Sequence, residues 1–329
     1  MKTAFITGAS GQDGSLLAEF LLEKGYRVFG LIRQGTQFTP DKYGHLKTAL
    51  QNQNFQVRYG DITDPIRIRD IIAEIHPNEI YNLAAQSHVG LSFEQPVSTM
   101  QITGLGVLHV LDAIKHVDKN IRFYQASSSE LFGRVQETPQ NENTKFYPRS
   151  PYGCAKAYGH YTTVNYREAY GIYAANGILY NHEGPRRGEN FVTRKITRAI
   201  GRIKANTQLE LVLGNTDARR DWGYAEDYVE AMWLMLQQDV PKDYVIGTGE
   251  THAVQEFIDV AFMHAGLDPQ KYVKTNPDLY RPAEVDTLCA DASLAKKELG
   301  WAPKTNFSQL AKRMVDFDIA LALKEKEQL

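Results

Sequence analysis

The sequence predicts an α/β protein: a doubly wound parallel sheet followed by a smaller mixed α/β unit. Three observations carry this. Short apolar runs of strand length alternate with longer segments of helical periodicity through the first 180 residues. A glycine-punctuated turn joins the first of those strands to the first helix. After residue 180 the alternation loosens into Arg- and Pro-containing connections, with helices still recurring. The chain has 329 residues, 43% hydrophobic and 23% charged, which supplies the apolar surface for a sizeable core.

In chain order, residues 3–7 read as a buried strand and residues 8–14 as the glycine turn. Residues 13–24 form a helix, with Leu16, Leu17, Phe20 and Leu21 on one side and Gly25 as its stop. Strands are expected over 26–33, 55–60, 79–84, 121–127 and 173–180, and helices over 66–75, 97–114 and 152–170. Beyond them, helical patterns occupy 191–204, 225–236, 254–265 and 307–323. The sheet unit is expected over residues 1–180, with segments near 217–250 returning to it, and residues 181–329 mainly form the second unit.

Thirty-seven Lys and Arg stand against 39 Asp and Glu, a net charge of −2. No global basic excess exists to collect phosphates, so nucleic acid is not expected as a partner. Cys154 and Cys289 lie far apart, without CxxC or metal-ligand spacing, and two buried, reduced thiols are expected, with no metal. The first residues run into a strand rather than a signal-peptide core, and no contiguous apolar run reaches membrane-spanning length. A cytoplasmic protein without membrane association is the expectation.

Gly8, Gly11 and Gly14 permit a tight turn and let backbone amides approach a pyrophosphate at a helix amino end, where the dipole favours negative charge. Following the first strand, this is the Rossmann-type arrangement for a dinucleotide. The second strand ends at Arg33, with no acidic residue between Lys24 and Asp41. A carboxylate there would suit the ribose hydroxyls of NAD, whereas an arginine suits the 2′-phosphate of NADP; a solvated arginine is the alternative. Asp61, after the third strand, is placed for an adenine amino group or for capping a turn. Tyr152 and Lys156, four apart at a helix start, share one face. An ammonium beside a phenol favours the phenolate, a base near neutral pH. Ser127-Ser-Ser-Glu130 ends the preceding strand at the carboxyl edge of the sheet, where open α/β sheets bind ligands.

These residues resemble those of the extended short-chain dehydrogenase/reductase superfamily, and within it the GDP-mannose 4,6-dehydratase family. The resemblance covers nearly the whole chain. It rests on Thr7-Gly-Ala-Ser-Gly-Gln-Asp-Gly14, Asn82-Leu-Ala-Ala-Gln-Ser-His-Val89, Ser150-Pro-Tyr-Gly-Cys-Ala-Lys156, Asn181-His-Glu-Gly-Pro-Arg-Arg-Gly188, Phe191-Val-Thr-Arg-Lys-Ile196, Gly214-Asn215, Arg220-Asp-Trp222 and Arg281-Pro-Ala-Glu284. The family usually has Thr at Ser128 and Arg at Gln34. The first departure keeps the hydroxyl; the second bears on NADP choice and on a subunit contact.

The resemblance implies NADP held by Gly8, Gly11, Gln12, Asp13, Gly14, Arg33, Asp61, Ile62, Leu83, Ala84, Ala85, Ser87, Tyr152, Lys156, His182 and Arg187. It implies GDP-mannose held by Ser87, Glu130, Asn181, Val192, Lys195, Gly214, Arg220, Arg281 and Glu284. Tyr152 would take the C4 hydroxyl proton, Glu130 the C5 proton, Ser128 would bond near the C4 oxygen, and Lys156 would hold the ribose and tune Tyr152. A homodimer or homotetramer is implied as well, with residues 97–114 and 152–170 at the dimer contact. Two enzymatic alternatives are a dehydratase of a related GDP-sugar, such as a GDP-manno-heptose, and a nucleotide-sugar epimerase or reductase. Glu130 argues against the latter, since a reductase has no C5 proton to remove. A redox-sensing regulator is the non-catalytic alternative, opposed by Tyr152, Lys156 and Glu130 occurring together.

Overall fold

The computed structural model describes residues 1–33, 40–279, 285 and 287–328, with backbone alone for 40–42. Its centre is a seven-stranded sheet. Five of its strands come early: β1 (Thr3–Thr7), β2 (Arg27–Ile32), β3 (Phe55–Tyr59), β4 (Glu79–Asn82) and β5 (Arg122–Ala126). After them come β6 (Ala174–Leu179), β7 (Asn181–Glu183), β8 (Leu211–Leu213), β9 (Arg219–Arg220), β10 (Trp222–Tyr224) and β11 (Tyr244–Ile246), with β12 (His252–Ala253) and β13 (Val273–Thr275) last. The sheet runs in the order β11-β6-β5-β4-β1-β2-β3 with every pairing parallel. Strand order reverses between β1 and β4, which opens a crevice at their carboxyl ends.

Period-two alternation explains how the sheet buries both faces. In β1, Ala4 and Ile6 enter one apolar cluster and Phe5 the opposite one. On the first side lie α1 (Gln12–Glu23), α8 (Ala225–Met235) and α11 (Ser293–Leu299), which bring Leu17, Leu21, Tyr228, Met232 and Leu299. On the second lie α2 (Pro65–Ile75) and α5 (Gly106–Val117), which bring Ile68, Ile72, Val110 and Ile114, with Tyr166 from α6 (Pro151–Tyr170). Each such fully buried aliphatic side chain contributes roughly 1.5–3 kcal/mol. Short helices α3 (Val89–Glu94), α4 (Pro96–Thr99) and α10 (Pro269–Tyr272) lie between these elements, and a third cluster joins α7 (Val192–Lys204), α9 (Val254–His264) and α12 (Phe307–Lys326) around Trp222, Phe257 and Met314. Residues 225–246 and 293–301 thus run in the layers of the sheet although they follow α7 in sequence.

Local chemistry sets the segments that carry the cleft. Helix α6 starts at Ser150, whose Oγ accepts from the Gly153 N–H at 3.0 Å, with Pro151 in the first turn, and it ends at Gly171 in the left-handed region. Strand β4 stops two residues short of expectation because the Leu83 and Ala84 N–H groups both donate to Thr7 Oγ1 at 3.1 Å instead of continuing the ladder.

Two expectations are corrected. The helix expected over 97–114 begins at Pro96 and is interrupted by a π-type turn over Met100–Leu105, where it passes close to α6. This stretch, Pro96–Val117, is long and apolar enough by composition to cross a membrane. Its apolar residues are interspersed rather than contiguous, and half of the stretch is buried inside the fold. The thiols are free but not both buried: Cys154 is exposed, on the face of α6 opposite Tyr152 and Lys156, and Cys289 is half-buried.

Candidate active site

The crevice is one cleft of about 930 Å³, and every proposed site residue among those described lines it. Gln34, Arg281 and Glu284 lie outside the described residues. At the glycine turn, Gly8 has φ +68°, and a Cβ on Gly14 would sit 2.3 Å from the Gly8 carbonyl oxygen. Gly11 caps α1 without a side-chain hydrogen bond, so the first-turn amides have no side-chain partner. Beside them the buried Gln12 Oε1 has no hydrogen-bond partner among the described residues. An open helix amino end and an orphaned acceptor fit a dinucleotide's diphosphate and hydroxyl groups.

Asp13, in the first turn of α1, would repel such an anion were it not paired. Its Oδ2 lies 2.8 Å from His182 Nε2, while His182 Nδ1 lies 2.7 Å from the Tyr180 carbonyl oxygen. Both ring nitrogens face acceptors, so both carry protons and the ring is an imidazolium. Despite burial, this pairing holds the Asp13 carboxyl down to about 2 and raises His182 above its ordinary value. The ring also stacks on Tyr228 at 4.8 Å. Arg187 is aimed by Glu183 at 3.1 Å and lies 3.7 Å over the Phe191 ring, whereas Arg186 ties Glu19 and Ser15 together as a structural clamp.

The floor is a buried polar chain whose direction is fixed. Thr7 Oγ1 accepts two backbone N–H groups, so it donates to Asn82 Oδ1 at 2.6 Å. Asn82 then donates to Gln125 at 2.7 Å, and Gln125 to the Ala126 carbonyl at 2.9 Å. The same carbonyl takes the Lys156 ammonium at 2.6 Å. Above it, the Ser128 hydroxyl and the Glu130 carboxylate both lie near enough to the Tyr152 phenol to act on its acidity. The Glu130 amide is itself held by Ser128 Oγ at 3.2 Å.

The electrostatics correct one expectation. Lys156 does not pull Tyr152 toward phenolate in the free protein: burial pushes the phenol up to about 12, against the lowering effect of the nearby Ser128 hydroxyl. Burial also brings Lys156 down to about 8, and its nitrogen lies 5.8 Å from the Tyr152 ring centroid, turned to the Ala126 carbonyl. Spacing put the two on one face; it said nothing of the dry surroundings that penalise both charges.

At one end of the cleft Arg33 is exposed beyond β2, and Ile62 is fixed by His109, which donates to its carbonyl at 2.9 Å. Asp61 Oδ1 accepts from the Thr63 amide and hydroxyl, so it caps a turn while lining the cleft. Leu83, Ala84, Ala85 and Ser87 line the middle. At the other end are Asn181, Val192, Lys195, Gly214 and Arg220. Lys195 Nζ rests on the Val212 carbonyl at 2.8 Å. A Cβ on Gly214 would sit 2.9 Å from the Leu279 oxygen, so glycine lets these two walls meet. Arg220 is buried, and next to it Asp221 accepts from Thr248, Gly249 and Ala290, pinning the turn between β9 and β10.

Gln86, His88, Phe191 and Asn215 line the cleft without having been singled out as site residues. Gln86 accepts from the His88 amide at 2.7 Å and donates to Thr99, and Phe191 packs edge-on to His88. All four stand inside the quoted motifs, which is the signal the sequence offers for them.

Comparison of sequences gives one family, and comparison of structures gives the shared fold. The sequence profile of the family described as "GDP-mannose 4,6 dehydratase" matches residues 5–314. GDP-mannose 4,6 dehydratase 1 of Arabidopsis thaliana is 54% identical, over 99% of this chain and 92% of its own. The Homo sapiens GDP-mannose 4,6 dehydratase is 50% identical, over 97% and 92%. Among solved structures, UDP-glucose 4-epimerase of Thermus thermophilus in complex with NAD superposes with a TM-score of 0.82 at 25% identity, covering 96% of this chain and 98% of that one.

Proposed function

The chain belongs to the GDP-mannose 4,6-dehydratase family, and from that premise we propose how its cleft works. The reaction is conversion of GDP-D-mannose to GDP-4-keto-6-deoxy-D-mannose and water. One observation carries the assignment of residues: Glu130, Ser128 and Tyr152 converge at one point of a cleft that also holds a dinucleotide turn. Removing a proton from C5 requires a base, and a carboxylate is what elimination needs and simple ketoreduction does not.

A bound nicotinamide dinucleotide would supply reversible hydride chemistry, with hydride leaving C4 and coming back at C6, so that no external oxidant would be consumed. Its phosphates would lie at Gly8, Gly11, Gln12 and Gly14, with Arg187 and the His182 imidazolium as nearby cations. We assign NADP rather than NAD because Arg33 follows β2; the Thermus relative carries NAD, and the difference is a matter for titration. Tyr152 takes the C4 hydroxyl proton. With its phenol pushed to about 12 in the free protein, it needs added positive charge in the cleft to serve near neutral pH. Ser128 orients that phenol and bonds the C4 oxygen. Glu130 removes the C5 proton, acidified by the C4 ketone, and passes it to the departing C6 hydroxyl as water. Once hydride is back at C6, Glu130, reprotonated from solvent, delivers a proton to C5, and Tyr152 releases the C4 hydroxyl proton to solvent. Lys156 holds ribose hydroxyls with the donors left free by Ala126.

Lys195 and Arg220 suit the diphosphate of the substrate, as point charge and fork, and Asn181, Ser87, Val192 and Gly214 its sugar and base surroundings. In this proposal residues 1–180, with 217–250 returning, form the NADP unit, and 181–329 mainly the GDP-sugar unit. The exposed Val97 and Tyr161, on the Pro96–Val117 stretch and α6, support a homodimer across these helices.

The test separates two steps. Glu130→Gln keeps size but cannot accept the proton, so turnover should fall by roughly 10²–10⁴. Reduced nicotinamide should build up in that variant on adding GDP-mannose, and should not in Tyr152→Phe. Near wild-type turnover in Glu130→Gln would assign the elimination to another base.

A further inference from the structure

A buried histidine beneath the cleft has no part in the chemistry above. His160 lies on α6, one turn beyond Lys156, and is 6% exposed. Its Nδ1 is 3.2 Å from Ser127 Oγ, and Ser127 lines the cleft immediately before Ser128. Its Nε2 is 3.8 Å from Asp243 Oδ2. The edge of the ring is packed by Phe146, 4.9 Å away and perpendicular to it.

The surroundings choose the tautomer. Asp243 is an ionised carboxylate, gripped by both terminal nitrogens of Arg167 at 2.8 and 3.0 Å and by the Asn176 amide at 3.0 Å. A nitrogen lone pair aimed at that carboxylate would be repelled, so Nε2 carries the proton. Burial keeps the ring neutral, pushing its pKa below the ordinary value, which leaves Nδ1 as an acceptor. Among the described residues, His160 Nδ1 is the one acceptor within hydrogen-bond reach of the Ser127 hydroxyl, so the hydroxyl hydrogen is drawn to it.

We infer that His160 is a positioning residue: its Nδ1 lone pair draws the Ser127 hydroxyl hydrogen away from the cleft, so Ser127 meets a bound ligand as an acceptor only. Two adjacent hydroxyls are thereby given distinct roles. Ser128 serves the Tyr152 phenol, while Ser127 offers lone pairs to a donor on the ligand, such as a sugar hydroxyl. A serine without such a partner would be free to turn its hydrogen toward the ligand, losing that selection. The buried Ser127–His160–Asp243–Arg167 line also anchors the 127–130 turn to α6 and to the residue before β11.

The inference is tested in two ways, of which only the kinetic one rests on the dehydratase reading. Long-range ¹⁵N correlation spectra of the ligand-free protein, with the signal assigned by its loss in His160→Asn, should show Nε2 protonated and Nδ1 bare. A protonated Nδ1 overturns the inference whatever the protein does catalytically, and it decides the matter even if His160→Leu fails to fold. With GDP-mannose, His160→Leu should lower kcat/KM roughly tenfold, as expected for one aligned hydrogen bond. His160→Asn, which returns an acceptor oxygen near the Nδ1 position, should recover most of that loss. Adding Ser127→Ala to His160→Leu should cost no more than about twofold beyond either change alone, because both remove one interaction. Two losses that multiply, or an asparagine no better than leucine, would show that His160 acts on the fold and not through Ser127.

Discussion

Replacing Asp13 with Asn removes the carboxylate that keeps His182 charged, and the consequence for stability has a definite size and pH dependence. In the folded protein the Asp13 carboxyl is held at about 2 against an ordinary 3.8. At about 1.36 kcal/mol per tenfold change in acidity, the fold favours the ionised carboxylate by about 2 kcal/mol. Both side chains are largely enclosed, 22% and 11% exposed, so solvent does little to screen the pair. A carboxylate with a lowered pKa contributes above its unfolded value and loses that contribution as pH falls from about 4 toward 2. His182, raised above 6.5, contributes below that value and loses its share as pH rises through its folded pKa. The wild-type advantage over Asp13→Asn is therefore largest from about pH 4 to 6.5 and declines on the alkaline side. Urea unfolding of both proteins, freed of nucleotide, across pH 5 to 9 gives the difference directly. A difference that is absent, or that stays constant up to pH 9, would refute the imidazolium assignment.

Two further outcomes are expected. Arg33→Ala should lower the preference for NADP over NAD in calorimetric titration, and a wild-type protein with equal or reversed affinities would remove the basis for the NADP assignment. Asp318 is fully buried, accepting from Arg194 at 2.8 and 3.0 Å and from Thr197 at 2.6 Å. Asp318→Ala strands the Arg194 charge and should cost roughly 3–5 kcal/mol, read as a lowered Tm; an unchanged Tm would show that solvent reaches that guanidinium.

What could be read from the sequence was what is local. The β1–turn–α1 unit follows from Gly8 to Gly14 and the Leu17 and Leu21 spacing, and the shared face of Tyr152 and Lys156 follows from helical periodicity. Strands of two or three residues, such as β9, β11 and β12, are too short to show a period, yet β11 completes one edge of the sheet. Pairings between distant residues left no local trace. Asp13 and His182 are 169 residues apart, and Ser127 and His160 meet only because α6 folds back across β5. Burial was equally hidden, which is why Lys156 was expected to draw Tyr152 toward phenolate and the structure has the phenol pushed the other way. Strong motifs named the right neighbourhood; the protonation states inside it came from packing.

The most direct measurement is to incubate the purified protein with GDP-mannose and NADP, and to record the product mass together with the redox state of the nucleotide. Removal of the C5 proton by Glu130, with the C4 hydrogen carried internally to C6, predicts a product lighter by one water and no accumulation of reduced nucleotide. Run in deuterium oxide, the same reaction should place deuterium at C5. An unchanged sugar mass would mean epimerisation, and stoichiometric reduced nucleotide would mean simple oxidation; either result contradicts the account.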